Sequence, residues 1–72
     1  MKLTIYGKDN CQYCDKLTEY LLSIGIDFTY INVLHNQREL LWLKEQGHTT
    51  VPQVYLAGSY IGNCDQTIKR YS

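Results

Sequence analysis

The chain has 72 residues, with seven Lys and Arg balanced by seven Asp and Glu, so its formal net charge is zero. That length fits one domain, residues 1–72, whose core hides only about 60% of the surface that the unfolded chain exposes. A composition of 44% hydrophobic and 19% charged residues is globular. It lacks the basic excess of a duplex-binding surface, and its longest apolar stretch, Leu21 to Ile26, is interrupted and too short to span a bilayer.

Lys2 to Tyr6 alternates and is rich in β-formers, which predicts a first strand ended by Gly7. Lys8-Asp9-Asn10 is a polar loop. From Cys11 the period becomes helical, and Cys14, Leu17, Leu21 and Ile24 form one apolar stripe that Gly25 terminates. Asp27 to Val33, β-branched and aromatic, predicts a second strand. Asn36 followed by Glu39 has the spacing of a capping box. It opens a second helix carrying Leu40, Leu41, Trp42 and Leu43 and ending at Gly47. Gln53 to Ala57 is the third strand, Gly58-Ser59 a hairpin turn, and Tyr60-Ile61 a short fourth strand. Gly62-Asn63 then leads into a last helix, Cys64 to Tyr71. The order β-α-β-α-β-β-α implies an α/β domain, with a four-stranded mixed sheet flanked by helices.

Three cysteines are present: Cys11, Cys14 and Cys64. A small secreted scaffold carries an even, widely spaced set, whereas one close C-x-x-C pair suits a reducing compartment. With no secretory pattern behind Lys2, the expected location is cytoplasmic. Cys11 falls at the helix N-terminus, where free backbone N–H groups and the positive dipole end stabilise a thiolate. Such settings lower a thiol pKa from about 8.5 to roughly 3.5–7.5. Cys14, one turn further in on the apolar stripe, stays buried and protonated. Cys11 is therefore expected to attack a substrate disulfide, and Cys14 to resolve the mixed disulfide. Zinc would need two further ligands. Only His35, His48 and Cys64 offer themselves, with no second paired motif, so no metal is expected.

C-Q-Y-C after the first strand, T-V-P before the third and G-N-C-D at the last helix together resemble a glutaredoxin, from Leu3 to about Lys69. The resemblance to the short bacterial and bacteriophage members implies the thioredoxin fold in its minimal form. It also implies a cis Pro52 facing the dithiol and glutathione as reductant. The implied glutathione contacts are Lys8, Tyr13, Gln37, Arg38, Thr50, Val51, Pro52, Cys64 and Asp65. The start of the last helix would take the γ-glutamyl carboxylate on its backbone amides, and Asp65 would take the α-amino group or cap the helix. Lys8 would stabilise the thiolate or remain a solvated charge. Gln37 and Arg38 would hold the glycyl carboxylate or simply face solvent. Cys64 reads as a small buried thiol, with a third redox thiol as the sharper alternative.

The chain departs from the family at Gln12, Asn63 and Gln66, which stand where Pro, a second Gly and a second acid are common. Asn tolerates the positive φ a glycine takes there, so the turn can survive with Asn63. Tyr6, Tyr30, Tyr55 and Tyr60 fall on strands as packing residues, and Trp42 is a helix-packing anchor. Implied partners are glutathione and disulfide-bearing proteins, ribonucleotide reductase among them, met by a monomer. One alternative is a redoxin recharged by thioredoxin reductase. The other is a [2Fe–2S] binding module holding its cluster through Cys11 and glutathione.

Overall fold

The computed structural model describes residues 2–72. Its elements are β1 (Leu3–Gly7), α1 (Gln12–Ser23), β2 (Phe28–Asn32), a 3₁₀ turn (Val33–His35), α2 (Gln37–Glu45), β3 (Gln53–Leu56), β4 (Ser59–Gly62) and α3 (Cys64–Tyr71). The strands lie in the order β2-β1-β3-β4. β1 and β2 are parallel, from Leu3 opposite Phe28 to Gly7 opposite Asn32. β3 is antiparallel to β1, and β4 to β3. The expected element order and mixed sheet are both present.

The two-residue period of the strands divides the core in two. Leu3, Ile5 and Val54 point to one face, where they meet Leu17 and Leu21 of α1 and Cys64 of α3. Tyr6 and Tyr55 point to the other and pack with Val33 and Leu43. Trp42 stands over this second face, its ring centroid 5.4 Å from that of Tyr6 and 5.1 Å from that of Tyr55. It is the packing anchor its place on the helix predicts. The stripe on α1 is shorter than its periodicity implies. Cys14, Leu17 and Leu21 are buried, but Ile24 is the C-cap and is 41% exposed. The helix stops there because Gly25 takes a φ of +73°.

Local hydrogen bonding shifts several boundaries. β2 ends at Asn32, because the Asn32 side chain accepts from the Leu34 N–H at 3.0 Å and starts the 3₁₀ turn. The capping box expected at Asn36 and Glu39 does not form. Asn36 Nδ2 instead donates backward to the Asn32 carbonyl at 2.8 Å, and α2 begins without a side-chain cap bond. The hairpin turn is Ala57-Gly58 rather than Gly58-Ser59, with Ser59 already paired to Leu56. Both turn residues have positive φ, +50° and +83°, the hand that matches strand twist in a tight hairpin. Val54 then pairs with Gly62 while Tyr55 pairs with Tyr60, so Ile61 is the extra residue of a bulge.

Candidate active site

The site forms where β1 hands over to α1. Cys11 is the N-cap of α1, in extended conformation, and Cys14 lies one turn inside. Their Cα atoms are 5.2 Å apart and their sulfurs are at disulfide distance. The Cys14 N–H donates to Cys11 Sγ at 3.2 Å. The sulfur thus occupies the place a Ser or Asp oxygen takes at other N-caps, facing the unpaired amides of the first turn. Cys14 is fully buried and Cys11 is 8% exposed. Cys14 is thus the more buried of the two, and Cys11 is reachable only at its rim.

Three side chains from β2 and the following turn hold the loop that leads into Cys11. The Tyr30 hydroxyl donates to the Lys8 carbonyl at 3.2 Å, and Asn32 Nδ2 donates to Asp9 Oδ1 at 2.8 Å. His35 Nε2 lies 3.1 Å from Asp9 Oδ2. The Tyr30 hydroxyl is harder to ionise than usual, first through burial and then through the nearby Asp15 and Asp9 charges.

Facing the dithiol is Val51, whose carbonyl lies 4.0 Å from Cys11 Sγ. The Val51–Pro52 bond is cis, as the family resemblance implies. Thr50 and Val51 form a ridge between two cavities. One, of about 300 Å³, is bounded by Tyr13, Pro52, Asn63, Cys64 and Asp65. The other, of about 440 Å³, is bounded by Lys8, Val33, Leu34, Leu40, Leu43 and Lys44 among others. Six of the nine implied glutathione contacts therefore meet around the smaller cavity, and Lys8 sits on the far side of the ridge. Gln37 and Arg38 do not join either group. They border a separate depression with Leu41, Trp42 and Glu45.

At the start of α3 the turn is kept with Asn63 as the N-cap at φ −90°, so Asn63 needs no positive φ. Gly62 takes it instead, at +135°. Asn63 Oδ1 accepts from the Gln66 N–H, and Gln66 Oε1 accepts from the Asn63 N–H, both at 3.0 Å. Gln66, which on the sequence is only a missing acid, completes a reciprocal cap. That pairing leaves the Cys64 and Asp65 amides as the free donors of the helix start. Asp65 is thus relieved of capping. Its carboxylate is exposed and 4.0 Å from Lys16 Nζ. Cys64 is 3% exposed and part of the core. Burial raises its thiol pKa above the ordinary value, Asp65 adds to the rise and Lys16 opposes it.

The residue that the sequence does not advertise is Gln53. It is 5% exposed and bonds in two directions. Its Nε2 donates to the Thr50 carbonyl at 2.9 Å and approaches Thr50 Oγ1 at 3.3 Å. Its Oε1 accepts from the Tyr60 hydroxyl at 2.7 Å. The His48 ring packs on Tyr60 with centroids 4.7 Å apart, and its Nε2 lies 2.8 Å from the Tyr55 hydroxyl. Tyr60 and Tyr55 are therefore more than packing residues: they brace the ridge from the hairpin. A polar Gln directly after T-V-P, on a strand buried along its length, is the signal that could have revealed this. Among the described residues, no group of three or more His, Cys, Asp or Glu is arranged to hold a metal ion.

Comparison with known proteins agrees with this geometry. Residues 3–61 match the family model for glutaredoxin. The chain is 38% identical over 63 residues to glutaredoxin 3 of Escherichia coli K12, covering 85% of this chain and 75% of that one. It superposes on the glutaredoxin-like NrdH-redoxin of Escherichia coli with a TM-score of 0.87 and 26% identity, covering 100% of this chain and 96% of that one. It superposes on buckwheat glutaredoxin in its glutathione complex with a TM-score of 0.81 and 25% identity, covering 96% and 66%. With its fold that of these thioredoxin-fold proteins and its dithiol at the head of the first helix, the chain belongs to the glutaredoxin family.

Proposed function

We propose that the protein is a glutathione-dependent thiol-disulfide oxidoreductase, with Cys11 as nucleophile and Cys14 as resolving thiol. The observation that carries this reading is the Cys11 sulfur at the N-cap of α1, accepting the Cys14 N–H. The same bond strengthens when the sulfur is anionic, which favours the reactive form.

In the reaction, the Cys11 thiolate attacks one sulfur of a substrate disulfide. A new S–S bond joins Cys11 to that half, and the other half leaves as a thiolate and takes up a proton. Cys14 gives up its proton and attacks Cys11 Sγ. The second half departs as a thiol, and the Cys11–Cys14 disulfide remains. Two glutathione thiols then return the protein to the dithiol in two further exchanges, and one oxidised glutathione is released. Glutathione would lie across the ridge, its cysteine on Val51 and its γ-glutamyl carboxylate on the free amides at the start of α3. Its glycine would fall on the Lys8 side. Gln37 and Arg38, on the first turn of α2, border a separate depression and are given no contact in this pose. Disulfide-bearing proteins, ribonucleotide reductase among them, are the other substrates of this reading, met by a monomer in the cytoplasm.

A second reading is favoured by one specific likeness. The NrdH-redoxin of Escherichia coli, described by its thioredoxin-like activity profile, matches this chain over nearly the full length of both. On that reading the electrons come from thioredoxin reductase. The experiment is to couple the protein to glutathione with glutathione reductase, and separately to thioredoxin reductase, on one disulfide substrate. Turnover only with the second reductant overturns glutathione dependence. In parallel, reduced Cys14→Ser treated with oxidised glutathione should hold one glutathione on Cys11. An adduct on Cys64 overturns the assignment of roles.

A further inference from the structure

The glutathione pose of the proposed function does not cover all of the surface beside the dithiol. On the far side of the Thr50–Val51 ridge from α3 lies the larger cavity, about 440 Å³, floored by Val33, Leu34, Leu40 and Leu43. Its ionisable lining residues are Lys8, Lys44 and His48, with no carboxylate among them. Leu34 is 58% exposed, an apolar side chain held open to water at the mouth. In the glutathione pose above, the residue reaching this trench is glycine, which has no side chain to cover the leucines and brings one carboxylate. The trench is therefore larger and more apolar than glutathione requires.

We propose that this trench docks the segment of a protein client that follows its disulfide-bonded cysteine, and that it selects an apolar residue followed by an acidic one. The assignment rests on the orientation of glutathione in the proposed function. The cysteine sulfur sits at Cys11, and the chain continues over Val51 into the trench. The apolar side chain then covers Leu34 and Leu43, and the acid meets Lys44 or Lys8 at the rim. Shared use of Thr50 and Val51 makes the trench continuous with the dithiol site. The all-basic rim supplies the charge complementarity. The chemistry is unchanged. Each symmetric peptide disulfide gives two peptide thiols, and the protein dithiol becomes the Cys11–Cys14 disulfide.

The test uses the pre-reduced full chain and four symmetric disulfides: oxidised glutathione and the dimers of Gly-Cys-Gly-Gly, Gly-Cys-Leu-Glu and Gly-Cys-Leu-Lys. The second-order rate constant for protein oxidation is read by stopped-flow. The Leu-Glu peptide should react about tenfold faster than Gly-Gly, the equivalent of burying part of a leucine side chain. Leu-Lys should fall severalfold below Leu-Glu. Leu34→Ser and Lys44→Glu, both at exposed positions, should erase these preferences, and Leu34→Ser should leave the rate with oxidised glutathione unchanged. Equal rates for the three peptides, or preferences that survive both substitutions, would overturn the trench while leaving the proposed function intact. Failure of every disulfide to oxidise the protein would overturn the proposed function itself. Sedimentation showing a dimer that Leu34→Ser dissociates would assign the trench to a second copy of the chain and overturn the client.

Discussion

Tyr60→Phe removes one oxygen from an edge strand and leaves every carbon in place. The lost bond is the 2.7 Å donation to Gln53 Oε1. Gln53 is 5% exposed, so water has little access to the acceptor left behind. A buried acceptor without its donor costs about 1–3 kcal/mol. Tyr60 itself is 47% exposed, which places the expected loss at the lower end, about 1–2 kcal/mol. In a domain of this size each kcal/mol moves the melting temperature by about 4–8 °C, so Tm should fall by about 5–15 °C. The effect should also reach the site. The carboxamide keeps its bond to the Thr50 carbonyl but loses the partner that fixes its tilt, so the ridge that receives substrate loosens. The kcat/KM for a glutathione mixed disulfide should drop, while alkylation of reduced Cys11 by iodoacetamide, which needs no ridge, should keep its rate. Combining Tyr60→Phe with Gln53→Met should cost less than the sum of the two single losses, with a coupling of about 1 kcal/mol. If Tm stays within about 2 °C of the parent, against the scale given above, or if the two losses add, the brace does not exist as described.

Gly62→Ala should destabilise by about 2–4 kcal/mol, combining left-handed backbone strain with loss of the α3 cap. The added Cβ would come within 2.6 Å of Gln66 Cβ and 2.7 Å of Gln66 Oε1 at a φ of +135°. Urea unfolding measures the loss, and the Michaelis constant for glutathione should rise because the free amides of α3 move with the cap. Thr67→Val should stabilise by about 1 kcal/mol, because the Thr67 hydroxyl is fully buried and has no hydrogen-bond partner among the described residues. A lower urea midpoint in that variant would show that the hydroxyl is satisfied in solution. Stability should also fall at alkaline pH. Burial raises the pKa of the Cys64 thiol and those of the Tyr6, Tyr30 and Tyr55 hydroxyls above their ordinary values. The unfolded chain therefore releases these protons first. The stabilisation is complete below the unfolded thiol's pKa of about 8.5 and is lost as pH climbs through the raised folded values. Urea midpoints between about pH 7 and 11 should decline over that window, and a flat profile would refute the sign.

Periodicity and local chemistry determined much of this protein before any packing was known. The alternation in Leu3–Tyr6, the three- and four-residue steps of Cys14, Leu17 and Leu21, and the glycines at or just past the ends of β1, α1, α2, β3 and β4 dictate the order of strands and helices. They also set Cys11 at a helix start, which is a property of four neighbouring residues and the backbone they share. Boundaries were less legible. Asn36 and Asn63 offer the same side chain to a following helix, yet only Asn63 finds a Gln three residues on in position to answer it. The hairpin moved by one residue because pairing of Leu56 with Ser59 outweighed the reluctance of Ala57 to take positive φ. Only the tertiary structure could decide that Gln53 reaches back to Thr50 and outward to Tyr60. Likewise, only packing could set Gln37 and Arg38 beside a separate depression, or divide the surface beside the dithiol into a smaller cavity at the start of α3 and a basic-rimmed apolar trench. Those arrangements depend on the angle at which α2 meets the sheet and on which strand neighbours which. Contacts across such distances are set by the summed burial of many side chains, and no single motif carries them.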